Sequence, residues 1–226
     1  KVLDDSTYTE ADKISICSRN QANWGVVFLA SLTYGAVPVP ILHEFKPSNV
    51  HHIVNHSESR VLFVGDMVWE NLSESEMPNL DAIILINDFS LVSAKSEQIT
   101  DARERLNEMF GKKYPKNFGP SDINYHKEES GEELAMINYT SGTSGFSKGV
   151  MIPYRALLSN VLFAMEVMPK INNKSNVVSM LPSAHMYGMM FEFLFEMAVG
   201  AHVHFLTRIP SPRIIMEAFA TVKPDV

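Results

Sequence analysis

The sequence predicts an α/β protein in which mostly parallel sheets are flanked by helices. Two observations lead to this prediction. Apolar runs of strand length alternate with apolar stretches of helical length, and glycine or proline residues separate many of them. Strands that alternate with helices in this way are typically parallel and joined by crossover helices. A composition of 46% hydrophobic and 20% charged residues is ordinary for a folded protein with a large core.

The first rounds of this alternation lie before residue 90. Short apolar runs predict strands at residues 14–18, 37–41, 60–64 and 81–86. Apolar residues at helical spacing predict helices at residues 24–33 and from Pro47 onward. The chain is polar from residue 87 to residue 133, where we predict a surface loop with one helix around residues 101–110.

A second series of elements follows residue 133. Strands are predicted at residues 134–139, 149–152, 177–181 and 201–206. Helices are predicted at residues 155–168, 191–198 and 213–222. We therefore divide the chain into a first α/β subdomain with its surface loop, residues 1–133, and a second, incomplete α/β subdomain, residues 134–226.

Charge and composition exclude several classes of protein. A net charge of -7 and a pI near 5.6 leave little positive field to attract nucleic acid. The single cysteine, Cys17, rules out an internal disulfide framework and favours a cytoplasmic location. Residues 1–12 contain no apolar signal segment, and charged residues interrupt the longest apolar stretch, residues 186–206. We expect no transmembrane segment; peripheral membrane contact and the oligomeric state stay open.

The segment from Tyr139 to Gly149 carries the strongest chemical signal. It reads Tyr-Thr-Ser-Gly-Thr-Ser-Gly-Phe-Ser-Lys-Gly and lies between two predicted strands. Glycines let backbone N–H groups approach an anion, hydroxyls donate further hydrogen bonds, and lysine adds a mobile positive charge. These groups together suit a polyphosphate. The segment is not a Walker A loop, because Ser147 stands where that motif needs glycine and Gly149 follows Lys148.

This segment closely resembles the phosphate-binding signature of the adenylate-forming superfamily, which includes acyl-CoA synthetases, luciferases and nonribosomal peptide adenylation domains. Two positions depart from the usual pattern, because Ser144 replaces a threonine and Ser147 replaces a proline. The resemblance implies a partial N-terminal domain of the adenylate-forming fold. The ATP-binding residues that it implies are Thr140, Ser141, Gly142, Thr143, Ser144, Gly145 and Lys148, and it makes Thr140 a magnesium contact. A serine- and glycine-rich linker is the plain alternative.

A second segment resembles the same superfamily. Residues 181–188 match its Leu-Pro-x-x-His-x-x-Gly pattern, in which a strand ends beside the acyl pocket. The resemblance implies that His185, Tyr187 and Gly188 bind the acid substrate. The alternative is a core helix, because apolar residues recur at helical spacing from residue 191 to residue 198. Within that helix, we interpret Glu192 and Glu196 as a solvent-exposed stripe, and an acid with a shifted pKa is the alternative.

Other polar residues receive structural interpretations. Asn20 and Trp24 match an Asn-x-x-x-Trp pattern that is frequent in the family's first subdomain, and we interpret both as packing residues. The histidines at positions 51, 52 and 56 suggest a metal site, but the sequence supplies no further ligands in a known pattern. We therefore expect a structural or surface role for these histidines.

The resemblance implies that the parent protein is an AMP-forming acyl-CoA synthetase that uses ATP, magnesium and coenzyme A to activate a fatty acid. Two alternatives remain, namely a non-catalytic nucleotide- or acyl-binding fragment and an enzyme that adenylates an aryl or amino acid. The family's later catalytic motifs are not found here, so we assign no catalytic residue and expect this chain alone to be inactive. The family pattern also predicts that a helix of roughly 25 residues is missing between Thr9 and Glu10, judged from the length of a parallel crossover.

Overall fold

The computed structural model describes residues 12–127, 130–140 and 147–225. The predicted join between Thr9 and Glu10 lies outside these residues. The strands are β1 Lys13–Cys17, β2 Val37–Pro40, β3 Val61–Val64, β4 Ala82–Leu85, β5 Leu91–Ala94, β6 Leu134–Thr140, β7 Lys148–Pro153, β8 Asn176–Ser179 and β9 His202–Phe205. The helices are α1 Ala22–Tyr34, α2 Pro47–His56, α3 Asp66–Trp69, α4 Glu97–Glu104, α5 Leu106–Lys113, α6 Tyr154–Val167, α7 Met186–Met189, α8 Phe195–Val199 and α9 Pro212–Val222.

The largest sheet has the strand order β2-β1-β3-β4-β5, and its first four strands are parallel. Its strands are short and rich in valine and isoleucine, and both β1 and β2 are almost wholly buried, as expected of a parallel sheet covered on both faces. Helix α1 ends at Gly35, whose φ of 92° is a left-handed conformation that favours glycine. The Gly35 N–H donates to carbonyl oxygens of the last turn, so the chain can turn directly into β2. The predicted mostly parallel α/β class is confirmed.

Two details of this sheet differ from the sequence prediction. The stretch after residue 87 contains β5, which pairs antiparallel with β4 at the sheet edge, where a loop was predicted. A half-buried edge strand of four residues gives too short a pattern to stand out from a polar background. The single helix predicted around residues 101–110 is divided at Arg105 into α4 and α5.

The second half of the chain forms two smaller strand pairs. Strands β6 and β7 form an antiparallel hairpin, and β8 and β9 form a parallel pair. The predicted helix at residues 191–198 begins earlier, at Met186, and contains a π-helical turn, Met190–Leu194, between α7 and α8. An inserted π turn shifts the helical faces, so spacing rules that assume a regular α-helix fail beyond it.

One hydrophobic core joins the two predicted subdomains. Trp24 stacks on Phe28 with ring centroids 5.1 Å apart and meets Phe193 edge-on at 5.8 Å. Gly25 makes this contact feasible, because a Cβ atom at that position would lie 2.8 Å from the Phe193 ring. The same cluster includes Met136 of β6. Packing by Trp24 is thus confirmed, while the division at residue 133 stays a prediction.

No helix in the described part of the chain is long and apolar enough to cross a membrane.

Candidate functional site

The β6–β7 hairpin presents the two described ends of the Gly-, Ser- and Thr-rich segment. Thr140, the last residue of β6, is directly opposite Lys148, the first residue of β7. Both residues are exposed, whereas Asn138 and Tyr139, which precede Thr140, are buried. The prediction that this segment joins two strands is confirmed. The hairpin therefore brings one hydroxyl and one ammonium group to the same exposed edge.

The other predicted ATP-binding residues are Ser141, Gly142, Thr143, Ser144 and Gly145. They lie outside the described residues. Their assignment, like the ligand roles of Thr140 and Lys148, stays a prediction.

Tyr139, the residue before Thr140, packs against the facing strand of this hairpin. Its ring packs across the strands onto Gly149, where a Cβ atom would lie 3.0 Å from Tyr139 Cζ and 3.0 Å from Ile137 Cγ2. Its hydroxyl is 2.7 Å from Nδ1 of His56 on α2. Burial raises the pKa of Tyr139 above its ordinary value of 10.0, so the hydroxyl is neutral at physiological pH. A glycine at position 149 thus lets the two strands and the ring approach closely.

The predicted substrate-binding residues lie where β8 leads into α7. His185 precedes the helix, and its Nδ1 accepts a hydrogen bond of 3.3 Å from the Tyr187 backbone N–H. Both side chains are exposed, and the Tyr187 ring packs against Phe191 at 5.0 Å. Gly188 is buried, and a Cβ atom there would lie 2.8 Å from the Pro182 carbonyl oxygen. His185 and Tyr187 are therefore accessible, and Gly188 allows α7 to approach the preceding segment.

Residues 180–185 are held by three side chains from other parts of the fold, which we call the polar clamp: Asn20, Asn138 and Glu192. One oxygen of Glu192, Oε2, accepts from the backbone N–H groups of residues 180 and 181, both at 2.8 Å. Asn138 Nδ2 donates to the Ala184 carbonyl oxygen at 3.1 Å. The segment that carries His185 is thus bonded directly to β6.

Asn20, which precedes α1, makes the remaining bonds of the polar clamp. Its Nδ2 donates to the Leu181 carbonyl oxygen at 2.7 Å. Its Oδ1 accepts from Ser183 N at 2.8 Å and from Ser183 Oγ at 3.0 Å. The packing interpretation of Asn20 therefore missed its main contacts. A buried asparagine uses both ends of its amide here, which fixes the segment in one position.

Sequence reasoning missed Asn138 and misassigned Glu192. Each has a detectable signal, because each interrupts an otherwise apolar run, Asn138 within β6 and Glu192 within the π-helical turn. A polar residue inside such a run needs a partner when it is buried.

The interpretation of Glu192 and Glu196 as a solvent-exposed stripe is wrong. Glu196 is only 2% exposed, and its Oε2 atom has no hydrogen-bond partner. Burial raises the pKa of the Glu196 carboxyl from 4.5 to about 7, and the nearby charge of Glu192 adds to the rise. The charged form of Glu196 is therefore disfavoured in the folded protein.

Two of the three histidines on α2 make hydrogen bonds within the fold, in line with the structural role expected of them. His51 Nε2 accepts from the Ser73 backbone N–H at 3.1 Å, and His56 bonds to Tyr139. Across residues 12–127, 130–140 and 147–225, no group of three or more His, Cys, Asp or Glu residues could hold a metal ion. Cys17 is buried, and burial raises its pKa to about 12, so its thiol is unreactive.

Comparisons with known proteins identify a family and a fold. Residues 1–226 match the family described as AMP-binding enzyme. The long-chain-fatty-acid–CoA ligase 1 of Cavia porcellus is 24% identical over 221 residues, which cover 94% of this chain and 30% of that protein. The long chain acyl-CoA synthetase 6, peroxisomal, of Arabidopsis thaliana is 29% identical over 191 residues, which cover 80% of this chain and 26% of that protein.

A solved structure shows the same fold. The long-chain-fatty-acid-CoA ligase FadD1 of Archaeoglobus fulgidus superposes with a TM-score of 0.72 at 20% identity, over 99% of this chain and 40% of that one. The chain thus spans 26% to 30% of the length of these curated relatives and 40% of this structural neighbour.

Proposed function

Because the chain belongs to the AMP-binding enzyme family, we propose that it supplies the ATP-phosphate loop and part of the acyl pocket of an AMP-forming acyl-CoA synthetase. The observation that carries this proposal is the pairing of Thr140 with Lys148 at the exposed end of the β6–β7 hairpin. The accessible His185 and Tyr187 lie on the segment that is bonded to the same hairpin. A polyphosphate site and an acid site would then be neighbours.

The proposed reaction begins when the carboxylate of the acid attacks the α-phosphate of ATP. A P–O bond to the carboxylate forms, the bond between the α- and β-phosphates breaks, and pyrophosphate leaves with its electron pair. Negative charge grows on the leaving group, where the Lys148 ammonium and the Thr140 hydroxyl would stabilise it. The thiol of coenzyme A then takes the acyl group and releases AMP.

Magnesium would accompany the nucleotide. The described residues offer no cluster of carboxylates and histidines for a metal held by protein alone. Magnesium commonly keeps several waters and binds through substrate phosphates with few protein oxygens. The Thr140 hydroxyl, exposed at the end of β6, would serve as one such protein oxygen.

A fatty acid is the substrate class that we propose. The curated relatives named above are long-chain fatty acid ligases or acyl-CoA synthetases by name. Met186, half-buried directly after His185, adds flexible apolar surface, which suits an alkyl chain. The cytoplasm is the location that we propose for this reaction.

The decisive experiment is acid-dependent exchange between ATP and pyrophosphate, measured on the full-length protein that contains this chain. Fatty acids of several chain lengths, an aryl acid and an amino acid are compared. We expect exchange with at least one fatty acid and little with the other classes. Exchange with an aryl or amino acid alone would overturn the fatty-acid assignment. Absence of exchange with every acid would favour a non-catalytic binding role.

A further inference from the structure

The polar clamp connects the two proposed binding sites. Asn138 lies two residues before Thr140, about 7 Å away along an extended strand. Its bonding partner, the Ala184 carbonyl, belongs to the residue immediately before His185. A single buried hydrogen bond therefore links the strand that presents Thr140 to the segment that presents His185.

We propose that Asn20, Asn138 and Glu192 are positioning residues that set the distance between the bound acid and the phosphates of ATP. This inference rests on the proposed function. A carboxylate must come within about 3–3.5 Å of the phosphorus that it attacks, so a small displacement of one site relative to the other slows the reaction. The polar clamp bonds residues 180–185 to three separate parts of the chain: the segment before α1, strand β6 and the π-helical turn.

The choice of residue types supports a positioning role over a purely stabilising one. An apolar side chain at position 138 would continue the apolar pattern of β6 without needing a partner, whereas buried asparagine is stable only when bonded. The same holds for Glu192, whose neighbours Phe191 and Phe193 are aromatic. Directional hydrogen bonds fix one geometry, while apolar contacts tolerate several.

Glu192 is well suited to this role because its contacts are to backbone. Its Oε2 atom accepts from two successive N–H groups directly after β8, where the chain leaves the strand pair. The carboxylate thereby fixes the start of residues 180–185, and Asn138 fixes their end. Together, these two contacts determine the position of His185.

The test compares variants of the full-length protein in ATP–pyrophosphate exchange, using the fatty acid that best supports it. Asn138→Ala and Glu192→Ala remove clamp bonds, and Glu192→Gln keeps an amide oxygen that can accept the same two N–H groups. Asn23→Ala is the matched control, because Asn23 on α1 donates to two backbone carbonyls, those of Ile86 and Asn87, which no clamp residue bonds.

We expect Asn138→Ala and Glu192→Ala to lower kcat by about 10-fold to 100-fold, as small misplacements of reacting groups do. The KM for ATP should stay within about a factor of 2 in both variants, as should every parameter of Asn23→Ala. Glu192→Gln should recover most of the rate lost in Glu192→Ala. Circular dichroism checks that each variant is folded at the assay temperature. If Asn138→Ala is not folded, Asn138→Leu, which has a similar size and no amide donor, replaces it.

Three outcomes overturn the positioning role alone. These are kcat values of the clamp variants equal to that of Asn23→Ala, a loss confined to the KM for ATP, and a Glu192→Gln variant no better than Glu192→Ala. A wild-type protein without acid-dependent exchange overturns the proposed synthetase function and the positioning role together.

Discussion

The parallel sheet and the segment after β8 are stabilised in opposite ways. The interior of the sheet is built from fully buried apolar side chains such as Ile16, Val39 and Leu62, and its buried polar residues include serines that bond to one another. Residues 180–185 depend instead on the polar clamp. Apolar packing supplies stability and tolerates exchange of similar side chains, whereas a buried polar network specifies one geometry. Specific geometry is therefore concentrated beside the proposed acid site.

The largest expected effect is a loss of stability in the apolar interior of the sheet. Leu62→Ala should lower the free energy of unfolding by about 2–5 kcal/mol, because it removes buried methyl groups and leaves a cavity. Leu62→Met preserves volume and should cost less than about 1.5 kcal/mol. Urea unfolding measures both. Equal losses in the two variants would show that the sheet interior also demands one specific shape.

The next effect concerns the exposed hairpin end. Lys148→Ala should slow ATP–pyrophosphate exchange by about 10²–10³-fold, the usual loss when a group that stabilises developing charge is removed. The free energy of unfolding should hardly change, since the Lys148 side chain is exposed. Lys116→Ala, at another exposed lysine, is the control. Unchanged exchange in Lys148→Ala would contradict the assignment of the phosphate site.

The buried carboxyl of Glu196 should make the stability of the protein depend on pH. Its folded-state pKa, about 7, is higher than the ordinary value of 4.5, so the folded protein holds the proton more tightly. Stability contributed by the protonated form is present below pH 4.5 and is lost as pH rises through 7. Glu196→Gln carries no titrating group at this position.

The difference in free energy of unfolding between Glu196→Gln and wild type should therefore grow in favour of the variant as pH rises. The slope should be at most about 1.4 kcal/mol per pH unit, with no further change above the folded-state pKa. Chemical denaturation at a series of pH values measures it. A difference that is independent of pH would show that Glu196 does not titrate in this range.

The smallest expected effect is on the stability contributed by the hydrogen bond between Tyr139 and His56. Tyr139→Phe removes the hydrogen bond to His56 and should lower the free energy of unfolding by about 0.5–1.5 kcal/mol. Tyr125→Phe, at an exposed tyrosine, should change it by less than about 0.5 kcal/mol. Thermal unfolding of both variants provides the measurement. A Tyr139→Phe protein as stable as Tyr125→Phe would mean that the hydrogen bond to His56 contributes no measurable stability.

Sequence reasoning succeeded where one face of an element has a simple pattern. Apolar runs located β1 to β4 and β6 to β9. It failed at Glu196, because the π-helical turn alters the spacing that separates buried from exposed faces. It also failed for the bonds of Asn20, since its partners lie more than 160 residues away in the sequence. Such contacts depend on the packing of the whole fold.

The pairing of Thr140 with Lys148 bears on how a ligand would meet these two residues. Directly opposite residues of an antiparallel pair have Cα atoms about 4.5–5.5 Å apart. Strand pairing therefore already offsets the entropy cost of bringing the hydroxyl-bearing and the ammonium-bearing residue together. A ligand that contacts both would use none of its binding free energy for that step.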